Sequence, residues 1–402
     1  MTTRRIGVIG LGQRIAHVLA AMKEVGWDLR VDGYVDPEPV GASILASVGV
    51  SPGRAFESAE ALMAAGPFDL VMIGSPNHLH LPHLKSALAG GWPAFSEKPI
   101  VRTEAETLEL ARLLAEDDGR APPLFIGLVM RSMPIVRETV ARIDSGELGP
   151  LISMDATEHL PVEHGAYLAR NWRRRAEWGG SFMLDKVCHD FDIFGRLAHA
   201  RPSKVASFGG RRIFVPERAA RPRTYDDGSP AYALRDAGWR AAPDAFASDM
   251  DLADHQTAMV EYENGVRLSF HSNSHVALSE RCWYVAGAEG TLIADLVRNR
   301  LMVRRTLHRG KPERIDYGGL TADAHNGADQ AMALDLMAAL DGERSFPVTP
   351  WDSLEAGLTV MAIDRAMAER QVVDLAPMWA AYDAARKARV EPRMASVASA
   401  DA

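Results

Sequence analysis

Lysine, aspartate and histidine stand in this sequence at spacings suited to moving a proton. Asp185 and His189 are four residues apart, so on a helix they share one face. A carboxylate beside an imidazole can orient the ring and support its protonated form, which makes a proton acceptor near neutral pH. The same spacing also suits a surface ion pair or a buried histidine bonded to backbone, and spacing alone favours a role of that kind. Lys98 stands in Ser96-Glu97-Lys98-Pro99. At a strand end its ammonium would enter a crevice, hold a hydroxyl oxygen and share a proton. The Lys98–Pro99 bond is a candidate for the cis isomer.

Other reactive types invite less. Asn77, His78, His80 and His83 have no cysteine or carboxylate cluster beside them, so no metal is expected. Cys188, next to His189, reads as a small packing residue. Two cysteines in 402 residues cannot build a disulfide framework, and a reducing cytoplasm is the expected compartment.

These residues need elements to position them. Arg5 to Ile9 is a short apolar run broken by Gly10 and Gly12, after which Ala16, Val18, Leu19, Met22 and Val25 recur at helical spacing. Further strands are expected over 29–35, 69–73, 93–96 and 124–128, separated by helical patterns such as 104–114. Such alternation predicts a doubly wound parallel α/β sheet, a Rossmann fold. Its ligand crevice lies outside the C-terminal strand ends, where Gly10 to Gly12, Asp36, Ser75-Pro76-Asn77 and Glu97-Lys98-Pro99 gather. A glycine turn between strand and helix is a dinucleotide site, with Gly10, Gly12, Gln13, Arg14 and Ile15 along the phosphates. Ile15 replaces the third glycine of the fingerprint. That position serves helix-to-strand packing, so the helix should shift and binding persist. Asp36 ends the second strand, where a carboxylate accepts ribose hydroxyls and repels a 2′-phosphate, so NAD is expected rather than NADP. Asp36 can equally cap the helix that follows Pro37.

Length and composition fit this reading. A chain of 402 residues implies two domains, and 47% hydrophobic with 24% charged residues is globular. A net charge of -8 argues against nucleic acid as partner. No apolar run reaches the roughly 18 to 20 residues of a membrane span, and Arg4-Arg5 reads as a strand start, not an export signal.

With these pieces assembled, the chain resembles the glucose-fructose oxidoreductase, inositol dehydrogenase and rhizopine-catabolism family, Gfo/Idh/MocA. The resemblance rests on Gly10-Leu11-Gly12, Ser75-Pro76-Asn77-His78-Leu79-His80, Glu97-Lys98-Pro99, Gly179-Gly180 with Asp185-x-x-x-His189-x-x-Asp192, and His325-Asn326-Gly327-Ala328-Asp329. It implies that Lys98, Asp185 and His189 line the substrate pocket at the nicotinamide, with Ser75, Pro76, Asn77, His80, Glu97 and Lys98 at the cofactor. His189 would take a hydroxyl proton as hydride leaves the same carbon, Lys98 would hold the oxygen, and Asp185 would orient either. Lys186 stands where many members carry a small or apolar residue, which bears on substrate class. The resemblance further implies a carbohydrate or polyol substrate and a dimer or tetramer formed through an open sheet. An NAD-using glycosidase or lyase acting by transient oxidation is the alternative, and a noncatalytic sensor a third.

From Leu151 the pattern changes to period two, over 151–157, 204–213, 257–261, 266–271, 283–285 and 291–296, with Asn264-Gly265 as a hairpin turn. This fits an α+β domain with an open-faced, mostly antiparallel sheet. The expected division is 1–128 for the NAD domain, 129–385 for substrate and oligomerisation, and 386–402 as a disordered tail. Two long irregular stretches are read at 159–177 and 216–251. The first carries His164, Trp172 and Arg173, types that stack on sugars and bind hydroxyls, as candidate substrate contacts. A basic surface loop is the other reading.

Overall fold

The computed structural model describes residues 3–115, 122–219, 223–233, 237–318 and 325–387. The first third alternates strand and helix: β1 (Arg4–Ile9), α1 (Gln13–Glu24), β2 (Leu29–Val35), α2 (Ala42–Ser47), β3 (Arg54–Ala55), α3 (Ala59–Ala64), β4 (Leu70–Ile73), α4 (His80–Ala89), β5 (Ala94–Ser96), α5 (Glu104–Ala115) and β6 (Leu124–Ile126). The six strands form one parallel sheet in the order β3-β2-β1-β4-β5-β6. Helices cover both faces of its centre, so β4 is apolar throughout and all four of its residues are buried. Strand order reverses beside β1, which opens a crevice at the ends of β1 and β4.

A second set follows: α6 (Pro134–Asp144), β7 (Leu151–Pro161), α7 (Val162–Arg170), α8 (Ala176–Gly179), α9 (Phe182–Ala198), β8 (Pro202–Gly210), β9 (His255–Tyr262), β10 (Arg267–Val276), β11 (Glu280–Gly287), β12 (Gly290–Asp295), β13 (Arg300–Arg305), β14 (Glu313–Asp316), α10 (Ala328–Leu340), α11 (Pro350–Glu369), β15 (Val373–Asp374) and α12 (Ala376–Lys387). Nine strands form a mixed sheet in the order β14-β13-β12-β11-β7-β10-β9-β8-β15. Only β7 and β10 pair in parallel, and the hairpin between β9 and β10 turns at Gly265, φ +86°. One face packs on α9, where Phe191 meets Phe270 and Phe194 meets Trp283 at ring separations of 5.2 and 5.5 Å. The other face leaves Phe208, Met259 and Tyr284 exposed. The late helices return to the first sheet's helices: Trp27 donates its indole N–H to Ala333 O at 3.3 Å, joining the turn after α1 to α10.

Two expectations change. The stretch 159–177 is not an irregular loop: β7 continues to Pro161, α7 follows directly, and a 3-10 turn over Trp172–Arg174 precedes α8. Gly165 weakens the helical signal in the sequence, yet a Cβ there would sit 1.7 Å from Ser274 O. Glycine lets α7 press on β10. The described part of 216–251 is largely irregular but docked, since Phe214, Phe246 and Met250 form an apolar cluster with Ala166 and Ala169 of α7. Of the expected tail, Arg386 and Lys387 belong to α12, and 388–402 lie outside the described residues. Among the described residues no helix is long and apolar enough to cross a membrane.

Candidate active site

Two cavities meet at the C-terminal edge of the first sheet. The outer crevice is lined by Gly10, Gly12, Gln13, Arg14, Ile15, Asp36, Ser75 and Pro76, and the second domain closes it with Tyr167, Trp172, Arg173 and Trp239. The inner cavity, of about 390 Å³, is lined by Lys98, His164, Asp185, Lys186 and His189, a size that suits a small-molecule site. Arg14, Gly74, Ser75, Tyr167 and Arg173 line both.

The glycine turn works as its spacing predicts. Gly10 has φ +85°, and a Cβ there would fall 2.3 Å from Ser75 N. Gly12 has open space beside it and starts α1, whose first turn holds no acid, so the helix dipole and free amides face the crevice uncompensated. Ile15 is accommodated by a glycine elsewhere: a Cβ on Gly74 would meet Ile15 Cγ1 at 2.0 Å. The missing third glycine is thus supplied by the end of β4, which keeps helix and strand close. Asp36 accepts Glu38 N at 2.7 Å, and burial raises its carboxyl pKa. Arg14 is bound to Glu97 at 3.0 Å and Asp329 at 2.7 Å, and Asp329 meets His325 at 2.9 Å. Its Nη2 is buried with no hydrogen-bond partner among the described residues. Open space beside Gly12, an uncapped helix start, a half-buried acid after β2 and an orphaned guanidinium nitrogen fit a dinucleotide.

The inner cavity is organised by α9. Ser181 caps it by accepting Leu184 N at 2.9 Å, worth about 1 kcal/mol, and this sets the register that turns Asp185, Lys186 and His189 to the cavity. Three acids anchor the helix: Asp185 to Arg173 at 2.9 Å, Asp190 to Arg281 and Asp192 to Arg131 at 2.6 Å. Lys98 reaches it from the turn after β5, where the Lys98–Pro99 bond is cis, and its Nζ donates to the backbone carbonyl of Asp185. The carboxylate of Asp185 binds Arg173, not His189 as spacing suggested, because the guanidinium from the neighbouring turn captures it. His189 Nδ1 is buried without a hydrogen-bond partner among the described residues.

Charge decides protonation here. Burial alone would raise Asp185, but Lys98, Arg173 and Lys186 outweigh it and hold the carboxyl well below its usual range. Burial, then Lys98 and Arg281, push His189 well below 6.5, so its ring is neutral. Burial raises Cys188 to about 12, as suits a packing thiol.

The predicted residues scatter in role. Ser75 hydrogen-bonds His83 at 2.9 Å. Asn77 is buried and donates to Gly179 O at 2.7 Å, tying the first domain to the end of α8. His80 places one ring nitrogen 2.7 Å from Pro99 O and the other 2.8 Å from Ser75 O. It therefore braces the lysine turn. His78 stacks on Trp239, so the three histidines serve different partners and do not converge. Trp172 lines the outer crevice only, beneath the Arg173 guanidinium at 4.1 Å; His164 and Arg173 reach the inner cavity. Sequence reasoning missed Glu158, Arg281 and Trp239, whose strand and loop positions carry no local pattern.

A Rossmann sheet with a glycine turn and a second cavity built on a mixed sheet define a dinucleotide-binding oxidoreductase. Residues 4–122 match the model described as "Oxidoreductase family, NAD-binding Rossmann fold", and residues 136–293 match the "GFO/IDH/MocA C-terminal domain". The chain belongs to the GFO/IDH/MocA family, and its first domain is the NAD-binding one. It is 28% identical to inositol 2-dehydrogenase of Leifsonia xyli over 220 residues, 54% of this chain and 60% of that protein. A longer match, 24% identical over 398 residues, covers 94% of this chain and 99% of inositol 2-dehydrogenase of Paracoccus denitrificans. In fold it is similar to levoglucosan dehydrogenase in complex with NADH and levoglucosan, with TM-score 0.72 at 19% identity over 93% of this chain and all of that one.

Proposed function

We propose that this protein is an NAD-dependent dehydrogenase that oxidises a secondary hydroxyl of a sugar, sugar derivative or polyol. The observation that carries this is the meeting of Lys98 and His189 in one cavity adjoining the dinucleotide crevice. Bound NAD supplies the hydride acceptor. Neutral His189 accepts the hydroxyl proton, and the Lys98 ammonium stabilises the developing alkoxide, which offsets the low basicity of a buried ring. Arg173 fixes one oxygen of Asp185 and leaves the other for a second substrate hydroxyl. Asp36 favours NAD over NADP. The relatives named inositol 2-dehydrogenase support a polyol or sugar as substrate.

The exposed face of the second sheet supports a homo-oligomer. Tyr284, Asp155, Ser269 and Met259 form one cross-strand row, and Phe208 borders it, an apolar patch that a second copy would cover. Free Cys188 and Cys282 suit a reducing cytoplasm.

The test is reduction of NAD, followed by absorbance, across inositols, aldoses, anhydrosugars and sugar acids, with Lys98→Ala as control. Silence across the panel in protein that binds NADH would overturn the reading, and so would net loss of a glycosidic leaving group without added NAD.

A further inference from the structure

We propose that Lys186 makes this active site selective for carbohydrates bearing a carboxylate, such as uronates or aldonates; this deepens the proposed function and rests on it.

The cavity's cations are unequally matched. Arg173 is paired with Asp185, Arg281 with Glu158 and Asp190, and Arg14 with Glu97 and Asp329. The two lysines instead meet groups that carry no negative charge, Lys98 a backbone carbonyl and Lys186 the Nε2 of His164 at 2.6 Å. Lys98 is committed to the reacting hydroxyl. Lys186 is left without a direct ion pair: among the described residues no carboxylate ion-pairs with it, yet its side chain lines the cavity from the helix that carries Asp185 and His189. A buried ammonium without a counter-ion is costly, and burial together with Lys98 lowers its pKa. Glu158 does not serve it, since Arg281 holds that carboxylate at 3.1 Å. The groups acting on Lys186 are therefore Lys98, Arg173, His164, Asp185 and Glu158. A ligand carboxylate would complete the missing pair.

Calorimetric titration of the NADH-loaded protein with D-glucuronate, D-gluconate, D-glucose and myo-inositol reads this without turnover. The acids should bind more tightly than the neutral compounds, with proton uptake at pH 8 seen as a buffer-dependent enthalpy. Lys186→Met and Lys186→Gln should each lower the affinity ratio of acid to neutral ligand by about 50-fold or more and abolish the uptake, and Lys186→Arg should restore the ratio. Two variants are used so that a folding failure in one, seen by circular dichroism, does not remove the test. Equal binding of glucuronate and glucose by the wild type, or an unchanged ratio in a folded variant, would overturn the proposal. Selective acid binding with no NAD reduction on any carbohydrate would uphold it and overturn the dehydrogenase reading.

Discussion

Arg173 Nε donates to Asp185 Oδ1 at 2.9 Å, and through this bond the short turn after α7 is locked to the first turn of α9. The guanidinium lies over Trp172 on the cofactor side, so one arginine couples the walls of both cavities. Replacing it takes the direct ion-pair partner from a buried carboxylate and leaves only the charges of Lys98 and Lys186 to hold it. Arg173→Met should cost about 3 kcal/mol in urea unfolding. Asp185's folded pKa lies below its unfolded one, so the pair stabilises above the unfolded value of about 4 and is lost as pH falls through the folded value. The cost should accordingly be flat from pH 8 to 5. A cost that vanished by pH 6 would contradict the pairing.

Lys98→Met should lower kcat by about 100- to 10,000-fold while NADH binding, read by fluorescence, stays near wild type. A large loss of NADH affinity with kcat retained would assign Lys98 to cofactor binding instead.

His189 titrates well below 6.5 because burial and neighbouring cations disfavour its charge. The acid limb of kcat/KM that it governs therefore lies below 6.5 and should be lost in His189→Gln. Should the parent show a limb above 6.5 that this substitution abolishes, the assigned direction is wrong.

His80 is held at about 4 against 6.5 unfolded. Its stabilisation is full above 6.5 and is lost as pH falls towards 4, because the unfolded chain binds the proton first. The destabilisation by His80→Asn should be smaller at pH 5 than at pH 7.5 by up to about 2 kcal/mol. An equal cost at both pH values in chemical denaturation would count against this.

Asp36→Ser should shift the ratio of kcat/KM for NAD over NADP towards NADP by about 10-fold or more, since a carboxylate no longer repels the 2′-phosphate. An unmoved ratio would leave Asp36 with only its turn bond to Glu38.

The sequence by itself determined the parts whose chemistry is local. The glycine turn, the alternating strands and helices and the cis-prone Glu97-Lys98-Pro99 turn are each written in a few consecutive residues. The helical period that brings Asp185 and His189 to one face is written the same way. Where a long-range contact sets the outcome, no local pattern reports it. Gly165 looked like a loop residue because its reason is Ser274, over a hundred positions away. Ile15 looked like a defect because its compensation is Gly74. Asp185 looked like a partner for His189, and only the folded chain brings Arg173 close enough to take its carboxylate. Tertiary structure likewise decided which cations find counter-ions, because pairing depends on which side chains burial brings within a few ångströms of each other. That left Lys186, the neighbour of Asp185 on the helix, without a direct ion pair.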